Sequence, residues 1–372
     1  HGFLCFATSE SRCELRFIPL GRLVEFDPLG GLDEALPLLR GFEPRHVERG
    51  TRIVAVLSKP SVVLQMPRGN LEGISPRALV LQHCMRQIQA HDYGASFTWM
   101  RRQKVDTNLI VDMDPDGFLA HGAYEFVEQI HKIDYLNLFI STLQNWDSTG
   151  QRYPVPDWLD MSLGRDGTQA KQFDYSTKVN RVCQRLRSIL IEAEEAGCTK
   201  DGKSIQKGYF LLPILSTFAK EDPPQLEQAL GLIKSNAIHS CQGSSRKPPL
   251  FSDSAQNSIQ YLAFLADYEL LFNTALAMYD YDIARAVARN SQMDPKFYLP
   301  LLKRYRDLPY FYARYTVDLR LKRYESALRN LFESGKLGED ISGYSKTKED
   351  DLKGNDYASC FALIKAQKLH TL

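Results

Sequence analysis

The apolar period of this chain changes once. Up to about residue 66 apolar side chains recur at alternate positions, and beyond Met66-Pro67-Arg68-Gly69-Asn70 they recur at i, i+3 and i+4, with no return to alternation. A strand puts every second residue on one face and a helix every third or fourth, so the chain reads as a short β part followed by a long α part. Short strands are expected at 3–6, 14–18 and 23–26, where Leu15 and Phe17 alternate with Glu14 and Arg16. The clearest hairpin pairs 52–57 with 62–66 through Ser58-Lys59-Pro60. A handful of strands cannot close a barrel or propeller alone, so the sequence is expected to begin inside a larger β domain.

Ser75 is expected to cap the first helix, with Pro76 at its first position, where a missing N–H costs nothing. Leu79, Met85 and Ile88 open an apolar stripe, continued over 118–130 and 134–143. The strongest helical pattern spans 174–195, with Tyr175, Val179, Cys183, Leu186, Leu190 and Ala193 on one face. Further helices are expected at 225–234, 258–277, 282–290, 295–306 and 322–334. A local echo recurs at helix starts: Tyr93 before Ser96, Tyr281 before Ala284, and Tyr324 before Ala327. The aromatic would wedge into the preceding turn while the small residue lets a neighbouring helix approach. The copies are too unevenly spaced for a strict tetratricopeptide period. The pattern predicts an irregular α-solenoid of TPR-like helical hairpins, with a compact helical domain as the alternative. Mobile loops are expected near 147–167, 240–254 and 334–355, which are polar and rich in Gly, Pro or charge.

Composition narrows the setting. The 372 residues suffice for two or more units, and 46 Lys plus Arg against 45 Asp plus Glu leave no global field to attract nucleic acid or a membrane. The seven cysteines are scattered, odd in number and never paired as C-x-x-C, which fits reduced thiols of the cytosol or nucleus. No apolar run approaches the roughly 20 residues of a membrane span, and the first residues are not expected to act as a signal peptide, since they lack a basic-then-apolar pattern. The chain is therefore expected to be cytoplasmic, with the nucleus compatible.

Chemistry is sparse. Asp112-Met-Asp114-Pro-Asp116-Gly117 matches the start of a calcium loop, but position 12 falls on Ala123 and Pro115 stiffens the turn. Aspartates capping a helix account for it better. His83 and His91 read as one helix surface, His121 and His131 lie ten apart, and none joins a metal-ligand cluster. No nucleophile elbow, phosphate loop or dinucleotide turn occurs. The expectation is a non-enzyme without catalytic, metal or cofactor residues. One stretch stands out. Between 296 and 336 lie ten basic residues, including Lys303, Arg304, Arg306, Arg320, Lys322 and Arg323, against four acids, interleaved with six tyrosines. Such a surface could contact RNA through phosphates and stacked bases. It could equally be a solvated edge whose tyrosines pack between helices, or a dock for an acidic protein.

Several longer words carry a resemblance. Glu48-Arg-Gly-Thr-Arg-Ile-Val54, Val63-Leu-Gln-Met-Pro-Arg-Gly-Asn-Leu-Glu72 and Pro76-Arg-Ala-Leu-Val-Leu81 resemble the propeller-to-solenoid junction of the largest Elongator subunits, the IKAP-type scaffolds. Val105-Asp-Thr-Asn-Leu-Ile110, Tyr135-Leu-Asn-Leu-Phe139, Asp294-Pro-Lys-Phe-Tyr-Leu-Pro-Leu-Leu302 and Leu321-Lys-Arg-Tyr-Glu-Ser-Ala-Leu328 follow in order. The resemblance implies the last strands of a WD-type β-propeller over 1–70, with Met66, Pro67, Arg68, Gly69 and Asn70 as the junction, then a solenoid over 71–372. It also implies a non-catalytic platform for a catalytic radical-SAM and acetyltransferase-like subunit and a second propeller subunit, which together modify the tRNA wobble uridine. The family's dimerisation region and basic tRNA-contacting tract have no counterpart in this sequence, so self-association and direct tRNA binding are not carried over. Two alternatives stay open: another propeller–solenoid scaffold of coat or trafficking type, and a direct RNA-binding helical module.

Overall fold

The computed structural model describes residues 3–8, 13–19, 44–130, 132–153, 173–197, 206, 208–240, 253–291 and 293–336. The strand expected at 23–26, His131, and most of the three expected loops lie outside these residues. The chain divides into two compact units, His1–Pro213 and Ile214–Leu372.

The first unit opens with two antiparallel three-stranded sheets. β1 (Phe3–Ala7), β2 (Glu14–Pro19) and β3 (Arg45–His46) form one, and β4 (Arg52–Val56), β5 (Val62–Gln65) and β6 (Leu71–Ile74) the other, each in sequence order. The expected 52–57/62–66 hairpin is present, with Arg52 opposite Gln65 and Val56 opposite Val62. Leu15 and Phe17 are buried with Val62, Leu64, Ile74, Ala78 and Leu79 in one apolar cluster, so both sheets and the first helix share a core. Glu14 is not on a wet face as the alternation suggested. It is buried and accepts a hydrogen bond from Arg16 at 2.7 Å.

Residues 66–70 are a hairpin turn within this sheet. Met66 N–H donates to the Asn70 carbonyl and Gly69 N–H to the Met66 carbonyl, each at 2.8 Å. Gly69 takes φ +89°, a conformation that glycine adopts without a Cβ penalty. Strand becomes helix after Ile74, a few residues beyond the expected junction, because Leu71–Ile74 adds a third strand too short to declare a period. Helix α1 (Arg77–Gln89) is one residue later than its cap signal. Pro76, at ψ 136°, is the N-cap, and the Ser75 side chain makes no capping bond.

Helices follow from α1 onward, and α1 packs against the next one. α2 (Tyr93–Gln103) is capped by Asp92, whose carboxylate accepts from Ala95 N–H at 3.1 Å. Ser96 is fully buried and donates to the Cys84 carbonyl of α1, which shows why a small residue stands there. The predicted helix over 118–130 is a five-residue π-helical turn, Phe118–Gly122, continued by α3 (Ala123–Gln129). A Cβ on Gly122 would meet the Tyr93 hydroxyl at 2.5 Å, so the close approach requires glycine. α4 (Ile133–Thr142) follows, and α5 (Lys178–Ala196) is entered through a single turn of 3₁₀ helix, Tyr175–Thr177. Phe97, Phe118, Phe126 and Phe139 from four of these segments form a buried aromatic centre, Phe126 and Phe139 lying 4.4 Å apart. His91 lies in the turn after α1 at φ 58°, so it does not share a helix surface with His83.

The division between units falls in the first turn of α6 (Leu211–Lys220), a helix not expected from the pattern. The second unit continues with α7 (Leu226–Ser240), α8 (Asp253–Leu265), α9 (Tyr268–Ala277), α10 (Tyr281–Asn290), α11 (Pro295–Asp307), α12 (Tyr310–Arg320) and α13 (Tyr324–Lys336). The single helix expected over 258–277 is broken because Asp267 caps a new one, accepting from Glu269 N–H. α12 was also unexpected. The tyrosine echo does mark helix starts: α2, α10 and α13 begin on Tyr93, Tyr281 and Tyr324, and Ser96, Ala284 and Ala327 are each fully buried one turn on.

Candidate interaction surface

The basic stretch folds into α11, α12 and α13. Asp294 caps α11 by accepting from Lys296 N–H at 2.9 Å. Tyr298, Leu302 and Tyr305 fall at i, i+4 and i+7 and are buried, which turns Lys296, Lys303, Arg304 and Arg306 outward. Tyr305 stacks on Tyr281 of α10 with ring centres 5.8 Å apart. Burial pushes the Tyr281 hydroxyl up to about 12 and raises that of Tyr305, against the pull of Arg320 and Arg304. Tyr312 and Tyr315 of α12 are buried as well, so four of the six interleaved tyrosines pack inside the unit.

Beneath the surface, Asp318 of α12 is fully buried. It accepts from the Tyr279 hydroxyl at 2.8 Å, the Ser326 hydroxyl at 2.6 Å and the Asn330 amide at 2.8 Å. This hub ties the turn before α10 to α12 and α13. Arg314 lies over the rings of Tyr279 and Tyr310, at 4.6 and 4.3 Å, and Arg320 over Phe297 at 5.5 Å.

The six candidate cations therefore differ. Arg306 is paired with Asp282, Arg320 is engaged at Phe297, and Arg304 has interactions of its own. Lys303, Lys322 and Arg323 are exposed, and none has an ion-pair partner among the described residues. The contact between Phe297 and Arg320 ties the start of α11 to the end of α12, and the turn that follows carries Lys322 and Arg323. Lys303 lies two turns along α11. Phe297, Leu299 and Tyr310 are exposed among these charges. Such an array can attract carboxylates or phosphates and offer apolar contact. Met66, Pro67, Arg68, Gly69 and Asn70 belong to the first unit, where Met66 packs on the sheet core and the other four are exposed.

A second charged site escaped the sequence. Lys178 and Asp112 are both fully buried and pair at 2.7 Å. The ammonium also donates to the Trp146 carbonyl at 2.6 Å, and Ser148 N–H donates to the other Asp112 oxygen at 2.9 Å. Burial raises the Asp112 pKa and lowers that of Lys178, while their mutual attraction opposes both shifts. Asp114 caps the next turn by accepting from Gly117 N–H, so the calcium-like word is spent on capping and an ion pair. Among the described residues no cluster of His, Cys, Asp and Glu could hold a metal ion, and no helix is long and apolar enough to cross a membrane.

Helical hairpins packed in sequence order, α1 on α2 in the first unit and α9 through α13 in the second, define the class of α-helical-repeat proteins. The ELP1 alpha-solenoid family model matches residues 77–305, beginning where α1 begins, and the chain belongs to that family. Proteins named Elongator complex protein 1 are similar: that of Saccharomyces cerevisiae is 32% identical over 363 residues, covering 93% of this chain and 25% of its own length. Those of Oryctolagus cuniculus and Arabidopsis thaliana are 34% and 32% identical, over 78% and 77% of this chain and 20% and 21% of theirs. The chain thus spans a fifth to a quarter of the relatives it matches.

Proposed function

We propose that this chain is the scaffold segment of an Elongator subunit. It holds the catalytic radical-SAM and acetyltransferase-like subunit and a second propeller subunit close together for tRNA wobble-uridine modification, in the cytoplasm and the nucleus. The family match over 77–305 carries this reading. The use of the buried charges supports a non-catalytic role. Asp112, Lys178 and Asp318 are consumed in fastening one helical segment to another rather than set around a cleft. A succession of helical hairpins offers many separate outer faces, and partners held on such faces gain effective concentration toward one another.

Affinity purification of the tagged full-length protein from its own cells, with mass spectrometry and wobble-nucleoside analysis, tests the proposal. The catalytic and propeller subunits should co-purify, and deletion of 77–336 should abolish both their recovery and the modification. Recovery with vesicle-coat proteins and unchanged wobble nucleosides would overturn it.

A further inference from the structure

Lys303, Lys322 and Arg323, exposed and without an ion-pair partner among the described residues, stand on α11 and in the turn after α12, elements that also expose apolar side chains, and we propose that this basic and apolar face of α11–α13 binds an acidic segment of another subunit that also carries apolar residues. The inference rests on the scaffold reading and deepens it by stating the chemistry of the bound partner.

Charge comes first. Of the four acids between 296 and 336, Asp318 is buried in its hydrogen-bonded hub and Glu325 is paired with Arg329. Neither offsets Lys303, Lys322 and Arg323, and the pairing of Arg306 with Asp282 still leaves these helices an excess of positive charge. A partner bearing Asp and Glu is complementary to it, and charge at such a rim steers and orients association. The apolar residues come second. Phe297 is 51% exposed and Leu299 41%, and Leu299, Lys303 and Arg306 run along one line of α11 at i, i+4 and i+7. Apolar side chains ringed by charge are the arrangement of a protein-binding patch, where the apolar anchors carry most of the affinity.

Single-stranded nucleic acid fits less well. Base stacking needs open aromatic faces. Tyr298, Tyr305, Tyr312 and Tyr315 are buried, and of the three exposed rings, Phe297, Tyr310 and Phe332, the first two already carry a guanidinium on one face. Leu299 adds contact that phosphates do not use.

The test is photo-crosslinking within the reconstituted full complex, with p-benzoylphenylalanine in place of Leu299. The expected product is one peptide of another subunit with excess Asp and Glu and interspersed apolar residues. Its yield should fall at least about tenfold in the combined Lys303→Glu, Lys322→Glu, Arg323→Glu variant. It should persist when the two lysines become arginine and Arg323 becomes lysine. All three positions are exposed, and unchanged helical circular dichroism confirms that the variants fold. Crosslinks to tRNA, to a peptide without acidic excess, to no partner, or with yield indifferent to charge reversal would each overturn the inference while leaving the scaffold reading intact. Failure of the unmodified chain to assemble with the other subunits would instead remove the scaffold reading, and the inference with it.

Discussion

At the scale of single residues, the Lys178–Asp112 pair holds two opposite charges fully out of water. Removing one partner of a fully buried ion pair strands the other charge away from water, which costs about 3–5 kcal/mol. Lys178→Met should therefore lower unfolding free energy by roughly that much in urea titrations. Adding Asp112→Asn should restore at least half, since asparagine still accepts from Ser148 N–H without needing a counter-charge. A loss of less than about 1 kcal/mol in the single variant would show that the pair is not stressed. Nothing in the sequence announced it: Lys178 looks like one more cation on an amphipathic helix, and its partner lies 66 positions away.

At the scale of elements, helix starts are written with aspartate. Asp92, Asp114, Asp147, Asp174, Asp267, Asp280 and Asp294 each accept backbone N–H bonds at a first turn. Asp280 is the most heavily engaged. Partial burial pushes its carboxyl up, but Lys234 at 2.6 Å and the N–H groups of Ile283 and Asp282 together hold it below the ordinary carboxylate range. With a folded pKa below the unfolded value, its charge stabilises the fold above about pH 4 and loses that contribution as pH falls through the folded value. Asp280→Asn should thus be less stable than the parent at neutral pH by up to about 1 kcal/mol, and the gap should close below about pH 4. A gap independent of pH would assign the loss to cap geometry alone. Helices with a clean apolar stripe, such as 178–196 and 281–290, were legible in the sequence. α12 was not, because Tyr310, Tyr312 and Tyr315 read as an aromatic–basic patch although two of the three are buried. α6 was hidden because Pro213 stands in its first turn, inside a short run of Leu and Ile. β6 contributes only Ile74 to the core, so it left no alternation to detect.

At the scale of the whole molecule, each unit carries its own apolar core, and repeat architectures spread stability through nearest neighbours. Hydrogen exchange on the Lys178→Met variant should show protection lost across the Asp112 turn, the Ser148 turn and α5, with α9–α13 unchanged. Uniform loss across both units would mean that the chain unfolds as one cooperative block. The candidate surface was legible as a composition but not as a geometry. Spacing exposed the excess of Lys and Arg, yet only the folded chain separates the paired Arg306 and engaged Arg320 from Lys303, Lys322 and Arg323, which have no ion-pair partner among the described residues.

The Ser96 contact that draws α2 against α1 also closes over Cys84. Burial pushes that thiol up to about 12, so almost none of it is thiolate at neutral pH. An alkylating reagent can then reach it only while the hairpin is apart. The rate at which Cys84 is labelled is a clock, built into the native sequence, for how often the first two helices breathe.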